Sequence, residues 1–254
     1  MLTDKFIQDR LTSLAAERAI TLRYANESGS RAWGLASTDS DYDVRFVYQH
    51  PRDWYLQLGK PKDMIGPIME LGGELDLAGW DLRKVLSHLA SSNAGVIEWL
   101  YSPVQYHVEA DFLAQLRELA TAYFRPRKVA AHYLGIARSA QLAGFDEAAN
   151  NWNLKKYFYY VRPLLAARYV MDTERWPPVA FADFKNEPSV QETLNELSAH
   201  KQTVAESYRM VIPASLAKHF SELEGQLNER LPSLPRVEHD LMRANATFRG
   251  LIGY

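Results

Sequence analysis

The stretch Glu27–Phe46, ESGSRAWGLASTDSDYDVRF, decides how the rest of this chain is read. It opens where TLRYANES (Thr21–Ser28) predicts a strand. Gly29-Ser30 then predicts a turn before a short helical segment. Glycine admits unusual backbone dihedrals and lets a ligand come close. The turn's outward N–H groups, with the Ser30 hydroxyl, suit an anion such as phosphate. Asp41-Tyr42-Asp43 leads into a second strand, YDVRFVYQ (Tyr42–Gln49). Side chains alternate along a strand, so Asp41 and Asp43 share one face and Tyr42 points to the other. Two carboxylates so close repel each other unless a cation sits between them. Mg²⁺ (or Mn²⁺) suits such oxygens and also takes the phosphate oxygens of an NTP. A lone Gly-Ser or Asp-x-Asp is more often an ordinary turn. Strand, Gly-Ser, short helix and Asp-x-Asp in that order point instead to a metal–triphosphate site. Its third carboxylate is expected on GGELDLAGW (Gly72–Trp80), where Glu74 and Asp76 alternate onto one face. Asp76 is preferred and Glu74 is the alternate. Arg45 falls on the face of Asp41 and Asp43, where it can lean on a carboxylate or reach a phosphate.

Outward from this stretch the chain has two textures. Up to about residue 108, strand-like segments alternate with helices; Asp81 is expected to cap LRKVLSHLA, and VIEWL (Val96–Leu100) forms a short helix. Thr3 is expected to cap an N-terminal helix. From Glu109 onward the apolar spacing is helical, with Gly144 as a stop and Pro163 as a kink or a fresh start. A loop over Trp176–Pro188 precedes two or three further helices. The expected fold is α+β: a domain over 1–108 built on a small mixed sheet with flanking helices, then an all-α helical domain over 109–254.

Composition narrows the function classes. The 254 residues carry a formal net charge of -2, so bulk charge does not make this a nucleic-acid binder; any such surface is a local patch. No cysteine is present, which excludes a disulfide framework, a thiol nucleophile and Cys-ligated metal. No signal peptide or membrane span is legible, and a cytoplasmic protein is expected.

The Gly29-Ser30 and Ser40-Asp41-Tyr42-Asp43 motifs resemble the nucleotidyltransferase superfamily typified by DNA polymerase β. With DLAGWDLRKVL, SSNAGVIEWLYSP and KKYFYYVRPLLAARY, they resemble one bacterial family within it, the RNA repair pathway DNA polymerase β family (RlaP-type). That resemblance implies a polymerase β-like nucleotidyltransferase domain. It also implies NTP use, magnesium, an RNA end as acceptor, and an RNA ligase as a partner in the same pathway. On it, Asp41, Asp43 and Asp76 are the catalytic metal ligands, and Gly29 and Ser30 hold the β,γ-phosphates. Two other readings stay open: nucleotidylation (AMPylation) of a protein or small molecule, and a non-catalytic nucleotide-binding module.

One further patch stands out. Between Thr121 and Val170 lie eight Lys or Arg and two acidic residues. Lys155, Tyr159 and Arg162 share a helical face there. They are candidates to grip a triphosphate or an RNA backbone, against the alternative of a solvated basic face. His132 reads as a packed core residue, Trp99 as packing, and the aromatic-rich 150s as core.

Overall fold

The computed structural model describes residues 2–59 and 61–254. By its contacts the chain forms two compact units. One takes in Met1–Ala32, Asp41–Tyr123 and His239–Tyr254; the other takes in Trp33–Ser40 and Phe124–Glu238. A single cut near residue 108 describes this less well, because the last helix of the chain groups with the first unit.

The first unit starts with α1 (Asp4–Glu17), capped by Thr3, whose hydroxyl accepts from the Phe6 N–H at 3.2 Å. There follow β1 (Thr21–Glu27), the four-residue α2 (Gly29–Ala32), β2 (Tyr42–Gln49), β3 (Met64–Glu70), β4 (Leu75–Asp81), α3 (Leu82–Ala90), α4 (Ala94–Leu100), β5 (Gln105–Val108) and α5 (Ala110–Ala122). The strands make one mixed sheet in the order β3-β4-β2-β1-β5. Only the central β2–β4 pair is parallel; the other pairs are antiparallel.

Period-two alternation sorts the two sheet faces. Tyr42, Val44, Phe46 and Tyr48 of β2 join Leu75 and Leu77 of β4 and Ile7, Leu11 and Leu14 of α1 in one buried cluster. Phe46 lies opposite Gly79, where an added Cβ would come within 2.1 Å of its ring. The missing side chain at 79 is therefore what lets the ring lie across β4. Asp81 ends β4 and caps α3 by accepting from the Arg83 N–H at 2.8 Å, and Asn93 caps α4 at 3.2 Å.

The second unit pairs α6 (Pro126–Gly144) with α7 (Leu154–Thr173). Pro126 opens α6, a position where its missing N–H costs nothing. Pro163 neither stops nor restarts α7; it is buried inside a continuous helix. This unit is not wholly helical. Short strands β6 (Phe145–Asp146), β7 (Asn151–Asn153) and β8 (Arg209–Met210) form a three-stranded sheet, and α8 (Pro188–Thr203) and α9 (Ala214–Arg230) complete it. The aromatic 150s are core as expected: Tyr157 and Phe158 are buried. His132 is not; it lies exposed on α6. Finally α10 (Met242–Leu251) returns to the first unit, against α3 and α5. Among the described residues no helix is long and apolar enough to cross a membrane.

Candidate active site

The site is built where β1 gives way to α2 beside the start of β2. Gly29 has φ +57, the left-handed region that costs a side chain about 1–2 kcal/mol. An ideal Cβ there would sit 2.2 Å from Asp43 Oδ2. Glycine at this position thus brings the backbone of the turn directly against the Asp43 carboxylate. Ser30, the next residue, is buried. Two hydrogen bonds hold the turn to the start of β2: the Ser28 N–H donates to the Asp43 carbonyl at 2.8 Å, and the Arg31 side chain donates to the Asp41 carbonyl, just before the strand, at 2.9 Å. Arg31 also lies 3.7 Å over the Tyr42 ring, on the face opposite Asp43.

The parallel register places Asp43 directly beside Asp76. Glu74 precedes β4, is exposed, and contributes only its carbonyl, to the Tyr42 N–H at 2.8 Å. Of the two candidates for a third carboxylate, Asp76 is the one brought to Asp43. Arg45 lies between them. Its Nη2 donates to Asp43 Oδ1 and to Asp76 Oδ2, each at 2.8 Å, and Nη1 donates to the Asp76 carbonyl at 3.2 Å. Asp76 Oδ1 is buried and accepts no hydrogen bond.

Behind the pair stands Glu27, a residue to which sequence reasoning assigned no role. It is 1% exposed; Oε1 accepts from the Asp43 N–H at 2.7 Å, and Oε2 accepts from the Tyr106 hydroxyl at 2.5 Å. Burial is the largest influence on its carboxyl and pushes it up to about 7, against the opposing pull of those two hydrogen bonds. The available signal was its position, an acidic residue on a strand next to a Gly-Ser turn.

The donor chemistry suits a hard divalent cation. Asp41 and Asp43 are half-buried carboxylates, and Mg²⁺ needs only one or two such groups, with water and phosphate oxygens for the rest. Asp76 beside them is paired with Arg45 through Oδ2, and its Oδ1 is buried. Among the described residues, however, no three His, Cys, Asp or Glu side chains gather closely enough to hold an ion by themselves.

Lys155, Tyr159 and Arg162 do share one face of α7, but that face has other work. Arg162 is 1% exposed; it donates to the Val179 carbonyl at 2.9 Å and lies 4.3 Å over the Trp33 ring. So deeply buried a guanidinium offers no surface to a triphosphate, which corrects that expectation. Tyr159 packs on Trp33 at 4.7 Å, and Lys155 pairs with Glu206. All belong to a network that grips the segment Trp33–Ser40 within the second unit. Buried Lys201 donates to the Leu35 carbonyl at 2.5 Å and the Ser37 hydroxyl at 3.0 Å, and Ser40 Oγ donates to Glu206 at 3.2 Å. Nothing local in the sequence singles out Lys201 or Glu206.

A mixed five-stranded sheet with Asp43 and Asp76 side by side at its centre, behind a Gly-Ser turn, defines the class: a polymerase β-like nucleotidyltransferase fold. The chain belongs to the RNA repair pathway DNA polymerase beta family, which it matches over residues 4–249. It is 38% identical over 207 residues to the uncharacterized protein YcgL of Bacillus subtilis (strain 168), a match covering 80% of this chain and 75% of that protein. A nucleotidyltransferase-like protein from Exiguobacterium sibiricum 255-15, of known crystal structure, aligns with 96% of this chain and 79% of its own at 13% identity. Its TM-score is 0.34. Membership of the family supports nucleotidyl transfer as the general role.

Proposed function

We propose that this protein is a metal-dependent nucleotidyltransferase that moves an NMP unit from an NTP to an acceptor hydroxyl, with an RNA end as the acceptor. The observation that carries the reading is the close approach of the Gly29 turn to Asp43, with Asp76 beside it on the neighbouring strand. The main-chain N–H groups of Gly29 and Ser30 bind the β,γ-phosphates. Asp41 and Asp43 hold Mg²⁺ or Mn²⁺, and Asp76 stands beside them as the third carboxylate of the site. The bound ion supplies charge neutralisation of the triphosphate. The acceptor hydroxyl attacks the α-phosphorus, the bond to the β-phosphate oxygen breaks, and pyrophosphate leaves. The RNA acceptor rests on the family's description as one of an RNA repair pathway, and a partner RNA ligase rests on the sequence resemblance alone.

The test is label transfer from each of four α-labelled NTPs to a pool of small RNAs, with Mg²⁺ or Mn²⁺. The double variant Asp41→Ala/Asp43→Ala runs alongside. Metal-dependent label on RNA that the double variant loses is the expected result. Label on the protein itself or on a small molecule would remove the RNA acceptor, and no label on anything would remove the transferase reading.

A further inference from the structure

Asp43 and Asp76 lie side by side with one guanidinium bonded to both, and that bridge bears on how many cations the site holds. We propose that Arg45 fills the place of a second cation, anchored by Asp76, so that the site takes up a single divalent ion on Asp41 and Asp43. This rests on the nucleotidyltransferase reading above and deepens it.

The geometry of Arg45 is that of a bridging cation. One nitrogen, Nη2, is 2.8 Å from a carboxylate oxygen of Asp43 and 2.8 Å from one of Asp76. The other, Nη1, is held at 3.2 Å by the carbonyls of Val44 and Asp76. All three side chains are largely sheltered, at 18%, 23% and 14% exposure for Arg45, Asp43 and Asp76. The β2–β4 register sets Asp43 and Asp76 side by side, and the Arg45 guanidinium joins their carboxylates. Arginine supplies one that is always ionised and shaped to bridge two acceptors, whereas a lysine would be a point charge.

Asp76 is closed to metal by the same arrangement. Its Oδ2 is taken by Arg45, and its Oδ1 is buried from solvent. It therefore acts as a positioning residue: it holds Arg45 and reaches the reaction only through it. Asp41 lies outside this bridge; its carbonyl is tied to Arg31. The three aspartates and Arg45 together carry a net charge that one divalent ion neutralises.

The experiment counts Mn²⁺ on nucleotide-free protein by electron paramagnetic resonance of the free ion, with thermal unfolding measured at each end of the titration. The wild type is expected to bind one Mn²⁺. Arg45→Gln is expected to melt lower without metal, to bind a second Mn²⁺, and to gain more in Tm on saturation. Arg45→Lys, which keeps the charge, stays at one, and serves as the reference if Arg45→Gln fails to fold. Asp43→Asn weakens binding by about tenfold or more, while Asp76→Asn stays within about fivefold of the wild type. Two Mn²⁺ in the wild type, or an Asp76→Asn loss matching that of Asp43→Asn, would overturn the assignment while leaving the nucleotidyltransferase reading intact. No Mn²⁺ on any of these nucleotide-free proteins would overturn the single-ion assignment alone, because in the transferase reading phosphate oxygens complete the coordination.

Discussion

Substituting Gly29 by alanine tests the heart of the site. The added methyl meets two separate obstacles. At φ +57 an L-residue gives up about 1–2 kcal/mol relative to glycine. Beyond that, its Cβ would stand 2.2 Å from Asp43 Oδ2 and 3.1 Å from Asp43 Cγ, well inside van der Waals contact. A free carboxylate would swing aside at little cost, but this one is tethered through Oδ1 to Arg45 at 2.8 Å. Relief therefore means loosening the Asp43–Arg45 bridge or moving the turn, at a cost of about 1–3 kcal/mol for an overpacked site. The total expected loss is about 2–5 kcal/mol in urea unfolding. Label transfer should fall by about a hundredfold or more, because a displacement near 1 Å at reacting groups costs that much. Gly34→Ala is the control. Gly34 also has positive φ, at +72, but no atom lies within 4 Å of its would-be Cβ. It should show the conformational loss alone, about 1–2 kcal/mol, with transfer nearly unchanged. If Gly29→Ala retained transfer within about threefold of wild type, the close approach of turn and carboxylate would have no part in the chemistry.

Two further outcomes follow from the same region. Glu27, held near 7 when folded against 4.5 for the unperturbed group, binds its proton more tightly in the native state. Stability must then fall as pH rises from about 4.5 to about 7, by about 3 kcal/mol from this group. Glu27→Gln should flatten that slope in the metal-free protein and be the more stable at pH 8; an unchanged slope in urea titrations across pH would show that burial does not govern this carboxyl. Gly79→Ala would drive a methyl to 2.1 Å from the Phe46 ring and should cost about 1–3 kcal/mol in thermal or urea unfolding. The second substitution Phe46→Leu should recover part of it, and no recovery would mean that the loss arises elsewhere.

The features of this protein that depend on neighbours in the chain were legible in the sequence. Alternation put Asp43 and Arg45 on one face of β2 and Tyr42 on the other, and hydroxyl or carboxylate chemistry marked Thr3 and Asp81 as helix caps. The strand, Gly-Ser turn and Asp-x-Asp order identified the family of folds for the same reason. Features set by contacts far along the chain were not legible. Asp76 and Glu74 are equivalent by alternation, and only the parallel β2–β4 register brings Asp76 to Asp43. Edge strands β3 and β5 lack a clear pattern because one holds Gly66 and Pro67 and the other spans four residues. The shared face of Lys155, Tyr159 and Arg162 follows from helical periodicity. What that face meets, Trp33 and Glu206, is a matter of packing across more than a hundred residues of chain or some fifty, which periodicity cannot encode. Glu27 makes the same point in energetic terms: its identity is written in the sequence, but its proton affinity is a property of burial, and burial exists only in the folded chain.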